Sequence, residues 1–165
     1  MRFNKNSNWI DLFILRHGIA EERSLVFNDK NRSLTNEGHI KTTRVVRKLK
    51  SLGFKANQIF TSPYKRALET AEIAFKEGLG NKIEITQALE PLGDPFPLLK
   101  ELSNKNLFIG HEPKLSYLVA KLIRAEKKSL YFKKAGFAHI RWPKDAINPR
   151  KTAELVCLIK PSLLK

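Results

Sequence analysis

The sequence predicts an α/β fold, a three-layer α/β/α sandwich with a mostly parallel central sheet and an antiparallel edge formed by the C-terminal strands. Short apolar runs alternate with helix-like stretches of about ten or more residues, which is typical of a parallel sheet covered on both faces. The first run ends abruptly at Arg16, as a buried strand does. At 165 residues the chain suits one domain. We therefore expect a single domain over 1–165, with 1–8 as a flexible N-terminal extension.

The first strand is expected over residues 9–15, and the polar stretch 20–33 that follows predicts a loop. Thr35 is placed to be the N-cap of the first helix, with Glu37 near the positive end of the helix dipole. Gly53 is expected to end this helix. Its predicted core side carries Val45, Val46, Leu49 and Leu52.

A second strand over residues 56–61 leads directly into Ser62 and Pro63. These two residues predict the next helix start, with Ser62 as N-cap and Pro63 at the first helical position. The same signals predict a helix from Asp94 to about residue 102 and another from Pro113 to 122. Further strands are expected over residues 82–86, 107–109, 138–142 and 154–159, the last two as a terminal pair.

Composition excludes several classes of protein. Lys and Arg number 31 against 16 Asp and Glu, which gives a formal net charge of +15. No window approaches the roughly 20 apolar residues of a membrane span, and no apolar stretch follows the basic N-terminus as in a signal peptide. Cys157 is the sole cysteine, which excludes an internal disulfide and predicts a small core residue. We expect a cytoplasmic protein without membrane partners.

The side chains that could catalyse a reaction or bind a ligand follow the carboxyl ends of the predicted strands. In open α/β sheets, ligands bind in the crevice at these ends. Segments distant in sequence therefore converge on one predicted site. The residues are Arg16, His17 and Gly18 after the first strand, Ser62 and Arg66 after the second, Glu90 after the third, and His111 and Glu112 after the fourth.

These residue types suit phosphoryl transfer. A neutral imidazole attacks phosphorus and can carry the phosphoryl group as a covalent intermediate. Guanidinium groups match and neutralise the phosphoryl oxygens. A helix N-terminus at Ser62 would add N–H donors, and Gly18 would let the backbone approach the ligand closely.

The motifs at these positions resemble those of the histidine phosphatase (phosphoglycerate-mutase-like) superfamily. The resemblance extends over residues 11–122 in the family's order, and each motif lies at a predicted strand end or in the loop beside it. Two segments and the short chain resemble the phosphohistidine phosphatase (SixA-type) branch. The superfamily motifs are L-R-H-G at 15–18, S-P-Y-K-R-A-L-E-T-A at 62–71 and G-H-E-P at 110–113; the branch segments are R-S-L-T-N-E-G at 32–38 and A-L-E-P-L-G-D-P at 88–95.

The resemblance implies a role for each residue of the expected site. His17 would be the nucleophile that becomes phosphorylated. Arg16 and Arg66 would bind the phosphoryl oxygens with help from Arg32, and His111 would hydrogen-bond the phosphoryl group. Gly18 and Ser62 complete the expected phosphate-binding set.

Two carboxylates compete for the role of proton donor. Glu90 lies where broader members of the superfamily carry their acid, whereas Glu112 directly follows His111, where phytase-like members carry theirs. We favour Glu90. A phosphohistidine substrate needs little acid help, because imidazole leaves more readily than an alkoxide.

By resemblance the substrate would be phosphohistidine on a signalling protein such as a histidine-phosphotransfer domain. A phosphatase of a small phosphorylated metabolite is the alternative on the same site, and a catalytically inactive basic module binding nucleic acid or an anionic partner is the rival of another class. We expect a monomer with no metal or cofactor: His111-Glu112 begins like a zinc-protease motif, but Leu115 stands where its second His is required. Nucleic acid is a minor alternative, since both His and both Arg of the site are intact.

Other prominent residues have ordinary structural interpretations. The basic stretches 41–50 and 121–134 suit a solvated surface, or long-range attraction of a phosphorylated or acidic partner. His39 and His139 lack a motif context. The aromatic pairs Trp9 with Phe13 and Tyr131 with Phe132 are interpreted as packing residues.

Overall fold

A computed structural model describes residues 8–23 and 28–164 of the chain. The N-terminal extension expected over 1–8 lies outside the described residues except for Asn8, whose carbonyl accepts a hydrogen bond of 2.7 Å from the backbone N–H of Lys144. Within the described part of the chain, no helix is long and apolar enough to cross a membrane.

A six-stranded sheet forms the centre of the molecule in the order β3-β2-β4-β1-β5-β6. The first four strands along the chain run parallel, whereas β5 runs antiparallel to both β1 and β6. The predicted architecture is confirmed. The strands are β1 (Trp9–Arg16), β2 (Gln58–Thr61), β3 (Ile83–Ile85), β4 (Lys105–Gly110), β5 (Phe137–Pro143) and β6 (Glu154–Ile159).

Helices cover both faces of the sheet. The first two, α1 (Asn36–Ser51) and α2 (Lys65–Lys76), pack on one face, and α3 (Lys114–Leu122) packs on the other. Alternate residues of β1 supply the two cores: Phe13 and Leu15 face α1 and α2, and Leu12 and Ile14 face α3. Short 3₁₀ helices lie at Asp29–Asn31, Gln87–Leu89, Pro97–Lys100, Pro149–Lys151 and Pro161–Leu163.

The register of the parallel strands levels their carboxyl ends. Arg16 of β1 lies opposite Gly110 of β4, and Ile109 lies opposite Thr61 of β2. The residues that follow these strand ends therefore lie together at the carboxyl end of the parallel strands, where the sequence predicts the site.

Helix α1 confirms its predicted start and corrects its predicted core side. Thr35 is the N-cap, and its hydroxyl accepts the N–H of Gly38 at 3.0 Å. Leu52 is 52% exposed, so its assignment to the core was wrong. The helix ends at Ser51, and the chain turns away through Gly53 at φ 89°, which removes Leu52 from the buried face.

Two predicted helix starts were also wrong. Helix α2 begins at Lys65, two residues after the expected position, because Ser62 Oγ accepts the N–H of Tyr64 in a local turn at 3.2 Å. The helix expected from Asp94 shortens to the 3₁₀ turn Pro97–Lys100. The Asp94 carboxylate takes the N–H of Phe96 at 3.1 Å, and this turn delays the helical backbone until Pro97.

The other polar residues far from the site occupy ordinary structural positions. His139 is buried and pairs with Asp11 at 2.7 Å, and His39 lies half exposed 4.0 Å from Glu69. Cys157 is half-buried against the core on the α1 side, where burial raises the pKa of its thiol. The basic side chains of the stretch 41–50 lie on the solvent-exposed face of α1.

Candidate active site

Two histidines meet at the carboxyl edge of the sheet. His17 follows β1, His111 follows β4, and their ring centroids lie 5.0 Å apart. Arg66, in the first turn of α2, points its Nε at Nε2 of His17 over 3.4 Å. The exposed fractions are 6% for His17 and 2% for both His111 and Arg66, so all three lie in a nearly water-free environment.

The hydrogen bonds of His17 assign its tautomer. Nδ1 donates to the carbonyl oxygen of Gly18 at 2.7 Å, because a carbonyl can only accept. Burial, followed by the charges of His111, Arg66 and Arg16, lowers the pKa of His17 to about 2, against the opposing Gly18 bond. The ring is therefore neutral at physiological pH, with a lone pair on Nε2, which is the form that a nucleophile requires.

His111 is held by the hydroxyl of Ser62. The Ser62 Oγ lies 2.9 Å from Nε2 of His111 and also accepts the N–H of Tyr64. Burial, with the charge of Arg66 next, lowers the pKa of His111 to about 3. When the Ser62 hydroxyl donates to Nε2, neutral His111 carries its own proton on Nδ1, which is buried and has no partner among the described residues. That N–H is a free donor for a ligand oxygen.

Arg66 and Arg32 share a carboxylate that the sequence did not single out. Arg66 Nη1 donates to the Asp29 carbonyl at 2.7 Å and Nη2 to its carboxylate at 3.0 Å. Arg32 binds the other carboxylate oxygen through Nε at 2.9 Å and Nη2 at 2.8 Å. Burial raises the pKa of Asp29, but the charges and N–H groups of Arg66 and Arg32 outweigh it and hold that pKa below its usual value. The one signal in the sequence is the spacing of Asp29 three residues before Arg32.

Arg16 lies beside Tyr131 and near both histidines, whose pKa values its charge helps to lower. Its Nη1 donates to the Phe132 carbonyl at 2.7 Å and to the Tyr131 hydroxyl at 3.1 Å, while Nε is buried and has no partner in the described part of the chain. The packing assignment is right for Phe132, which is 1% exposed, and wrong for Tyr131, which is 58% exposed. Lys133, from the basic stretch 121–134, lies 5.3 Å above the Tyr131 ring.

Gly18 is closely packed against helix α1. A Cβ at this position would collide with Thr42 Oγ1 of α1 and lie 3.1 Å from Leu34. The Gly18 N–H meanwhile donates to Thr70 Oγ1 of α2 at 3.1 Å. The missing Cβ thus lets the segment after β1 approach α1 closely, and the part of Gly18 in phosphate binding stays a prediction.

The two candidate proton donors have different surroundings. Both Glu112 oxygens accept backbone N–H groups, from Ser116 at 3.1 Å and from Phe132 at 2.6 Å. Those bonds fix the start of α3 to the segment that holds Arg16. Glu90 lies at the rim, 3.8 Å from Lys30, and contacts none of the site's histidines or arginines.

The predicted site residues thus fall into two groups. Contacts connect His17, Arg66, His111 and Ser62, and Arg16 lies near both histidines. Arg32 joins this group through Asp29. Glu90 remains at the rim. Among the residues that the structure describes, no group of three or more His, Cys, Asp or Glu side chains is arranged to hold a metal ion.

Comparisons with known proteins assign this arrangement to a family. The model of the Histidine phosphatase superfamily (branch 1) matches residues 12–92, which include His17, Arg66 and Glu90. An uncharacterized protein of Picosynechococcus sp. is 32% identical over 163 residues, which cover 94% of this chain and 99% of that protein.

Solved structures share the whole fold. The protein histidine phosphatase SixA complexed with tungstate superposes with a TM-score of 0.78 at 24% identity, covering 94% of this chain and 100% of that one. A phosphoserine phosphatase mutant from Entamoeba histolytica, in complex with phosphoserine, gives a TM-score of 0.71 at 14% identity, covering 94% and 100%. Both neighbours are phosphatases by name. Together with the family model and the two-histidine site, these likenesses lead to one conclusion: the chain belongs to the histidine phosphatase superfamily.

Proposed function

We propose that the chain is a metal-independent phosphatase that works through a phosphohistidine intermediate on His17. One observation carries the proposal: neutral His17 directs the lone pair of Nε2 toward the guanidinium of Arg66 in a buried site. A nucleophile and a phosphate-binding cation then face the same point.

In the first step, Nε2 of His17 attacks phosphorus. A bond forms between Nε2 and phosphorus while the bond to the leaving group breaks, and the leaving group takes the electron pair and a proton. Arg66, Arg16 and the Nδ1–H of His111 would stabilise the charge on the phosphoryl oxygens, because Arg16 Nε and His111 Nδ1 have no partner among the described residues. Arg32 would join them from the Asp29 side.

In the second step, water attacks phospho-His17. The new oxygen–phosphorus bond releases inorganic phosphate, the electrons of the broken bond return to Nε2, and the proton of the water leaves with a base at the rim. Because burial and neighbouring charge disfavour a cationic His17, the neutral ring is also the better resting state between turnovers. Glu90 is our proposed donor and acceptor of the proton, since the Glu112 oxygens are occupied by backbone N–H groups.

The proposed substrate is phosphohistidine on a signalling protein such as a histidine-phosphotransfer domain. Support comes from the SixA-like fold and from the position of Glu90, the proposed proton donor, whose carboxylate lies 3.8 Å from Lys30. An imidazole leaving group needs only a weak acid. We further propose a cytoplasmic, monomeric, single-domain protein, with nucleic acid as a minor alternative partner.

A small phosphate ester is the second candidate substrate. The fold shared with the phosphoserine phosphatase favours it. A panel of phosphohistidine proteins and small phosphate monoesters, compared by kcat/KM, separates the two: we expect the phosphohistidine proteins to exceed the esters, and the reverse order would select the metabolite phosphatase.

The mechanism is tested with p-nitrophenyl phosphate in the presence of EDTA. We expect turnover by the wild type, none by His17→Ala, and an acid-labile phosphoryl label on His17 after rapid quenching. Activity that survives the substitution, or that requires added metal, contradicts the mechanism. Absence of any hydrolysis together with steeply salt-dependent DNA binding would instead identify the inactive basic binding module.

A further inference from the structure

Asp29 receives four of the six polar contacts that the side chains of Arg66 and Arg32 make with residues that the structure describes. Arg66 has three nitrogens: one faces His17, and the other two bind Asp29, through its carbonyl and its carboxylate. Arg32 directs two of its three nitrogens to the same carboxylate and the third to the Glu21 carbonyl at 2.6 Å. The carboxylate thus bridges both guanidinium groups, with one oxygen on each.

That bridge lies between the nucleophile's arginine and solvent. The Asp29 side chain is 37% exposed, whereas that of Arg66 is 2% exposed and that of Arg32 is 12% exposed. A phosphoryl oxygen that binds the N–H groups of Arg66 and Arg32 now held by Asp29 would have to replace this carboxylate. Because both are anions that accept N–H bonds, they compete for the same donors.

From this geometry we propose that Asp29 is an internal anion that fills the phosphoryl-oxygen position on Arg66 and Arg32, and that a phosphoryl group binds by replacing it. The inference rests on the proposed function, because it takes the pocket to be a phosphoryl site. Asp29 would thereby set affinity: it keeps two buried cations paired in the free protein and makes weakly charged ligands poor competitors for them.

The exchange has a simple electrostatic rationale. A phosphoryl group brings up to two negative charges and three oxygens, whereas the carboxylate brings one charge and two oxygens. The three phosphoryl oxygens offer acceptors for the N–H groups of Arg66 and Arg32 and for the Nε of Arg16, which has no partner among the described residues. A site with no anion on either arginine would be less stable than one in which Asp29 or a phosphoryl group pairs with them, because Arg66 is deeply buried.

Titration calorimetry with inorganic phosphate tests the exchange. The probe variant is Asp29→Asn, which keeps an acceptor oxygen and the backbone contact but removes the charge. Asp145→Asn, the same change at an exposed position on the opposite edge of the sheet, is the matched control. We expect Asp29→Asn to bind phosphate about tenfold more tightly than the wild type, in line with the strength of hydrogen bonds to charged groups, and Asp145→Asn to bind as the wild type does.

Each outcome decides the inference. Equal or weaker phosphate binding by a folded Asp29→Asn overturns it and makes Asp29 a residue that only orients the arginines, while the proposed function stands. If neither protein binds phosphate and the wild type hydrolyses no phosphate ester, both proposals fail.

A crystal structure of the wild type with tungstate supplies a second readout that does not depend on any variant's folding. We expect tungstate oxygens on Arg66 Nη2, with the Asp29 carboxylate displaced from it. A carboxylate that keeps its 3.0 Å contact while tungstate is bound would overturn the exchange.

Discussion

The Nε of Arg66 lies 3.4 Å from Nε2 of His17, although 49 residues separate them in the chain. A guanidinium N–H thus donates to the Nε2 lone pair with which His17 would attack phosphorus. The contact places positive charge where the phosphorus must arrive, and it helps to keep the imidazole neutral. The expected consequences concern this pair first and then its surroundings.

Replacing Arg66 with Lys should distinguish the contribution of its positive charge from that of its planar guanidinium group. Lysine keeps the positive charge but lacks the planar set of donors that reaches His17 and a phosphoryl group together. We expect kcat/KM for p-nitrophenyl phosphate to fall by about 10²- to 10³-fold. Arg47→Lys, at an exposed arginine paired with Glu77, is the control and should be silent. A loss below threefold at Arg66 would remove it from the phosphoryl site.

The buried histidines should make the folded state sensitive to acid. Their pKa values are lowered to about 2 for His17 and about 3 for His111, below the unfolded value near 6.5. Between these limits the unfolded chain binds more protons, so stability is complete above about pH 6.5 and is lost as pH falls. In this pH range, each histidine should lower the free energy of unfolding by on the order of 1 kcal/mol per pH unit as the pH falls.

Urea unfolding of the wild type and His17→Asn from pH 4.5 to 7 measures this effect. The free energy of unfolding of the wild type, relative to the variant, should fall by about 1 kcal/mol per pH unit below pH 6. A difference that is independent of pH would mean that His17 titrates alike in both states.

Glu90 and Glu112 should respond differently to removal of charge. Glu90→Gln should slow an alkyl phosphate far more than p-nitrophenyl phosphate, because the poorer leaving group depends more on a proton donor. Glu112→Gln should lower stability by about 1 to 3 kcal/mol, since it removes one of the two side-chain oxygens that accept backbone N–H groups there, and it should slow both substrates alike. Equal slowing of both substrates by Glu90→Gln would sink the assignment of Glu90.

Gly18→Ala should destabilise the fold through a collision with Thr42. We expect a loss of about 1 to 3 kcal/mol in the free energy of unfolding. Adding Thr42→Ala, which removes the hydroxyl that the new Cβ meets, should restore part of that loss, with Thr42→Ala alone as the reference. A stable Gly18→Ala variant that loses only phosphate affinity would instead support the predicted role of Gly18 in phosphate binding.

The order of elements and the edge that carries the site could be predicted from sequence because their signals are local. The apolar run before Arg16, the Thr35 cap and the run before Gly110 each depend on neighbours within a few residues. Parallel strands then bring their carboxyl ends to one edge, so His17 and His111 could be expected to meet. Leu52 and the segment after Asp94 were mispredicted where a turn ended or delayed the helix.

What the sequence determined by itself was the fold class, the family and the set of histidines and arginines at one edge of the sheet. Only the tertiary structure decided their partners: Ser62 for His111, Thr42 for Gly18, Tyr131 for Arg16, and Asp29 for Arg66 and Arg32. Secondary structure follows from backbone propensity and periodicity along the chain. Side-chain contacts across tens of residues depend on how the layers pack, and no spacing in the sequence encodes that packing directly.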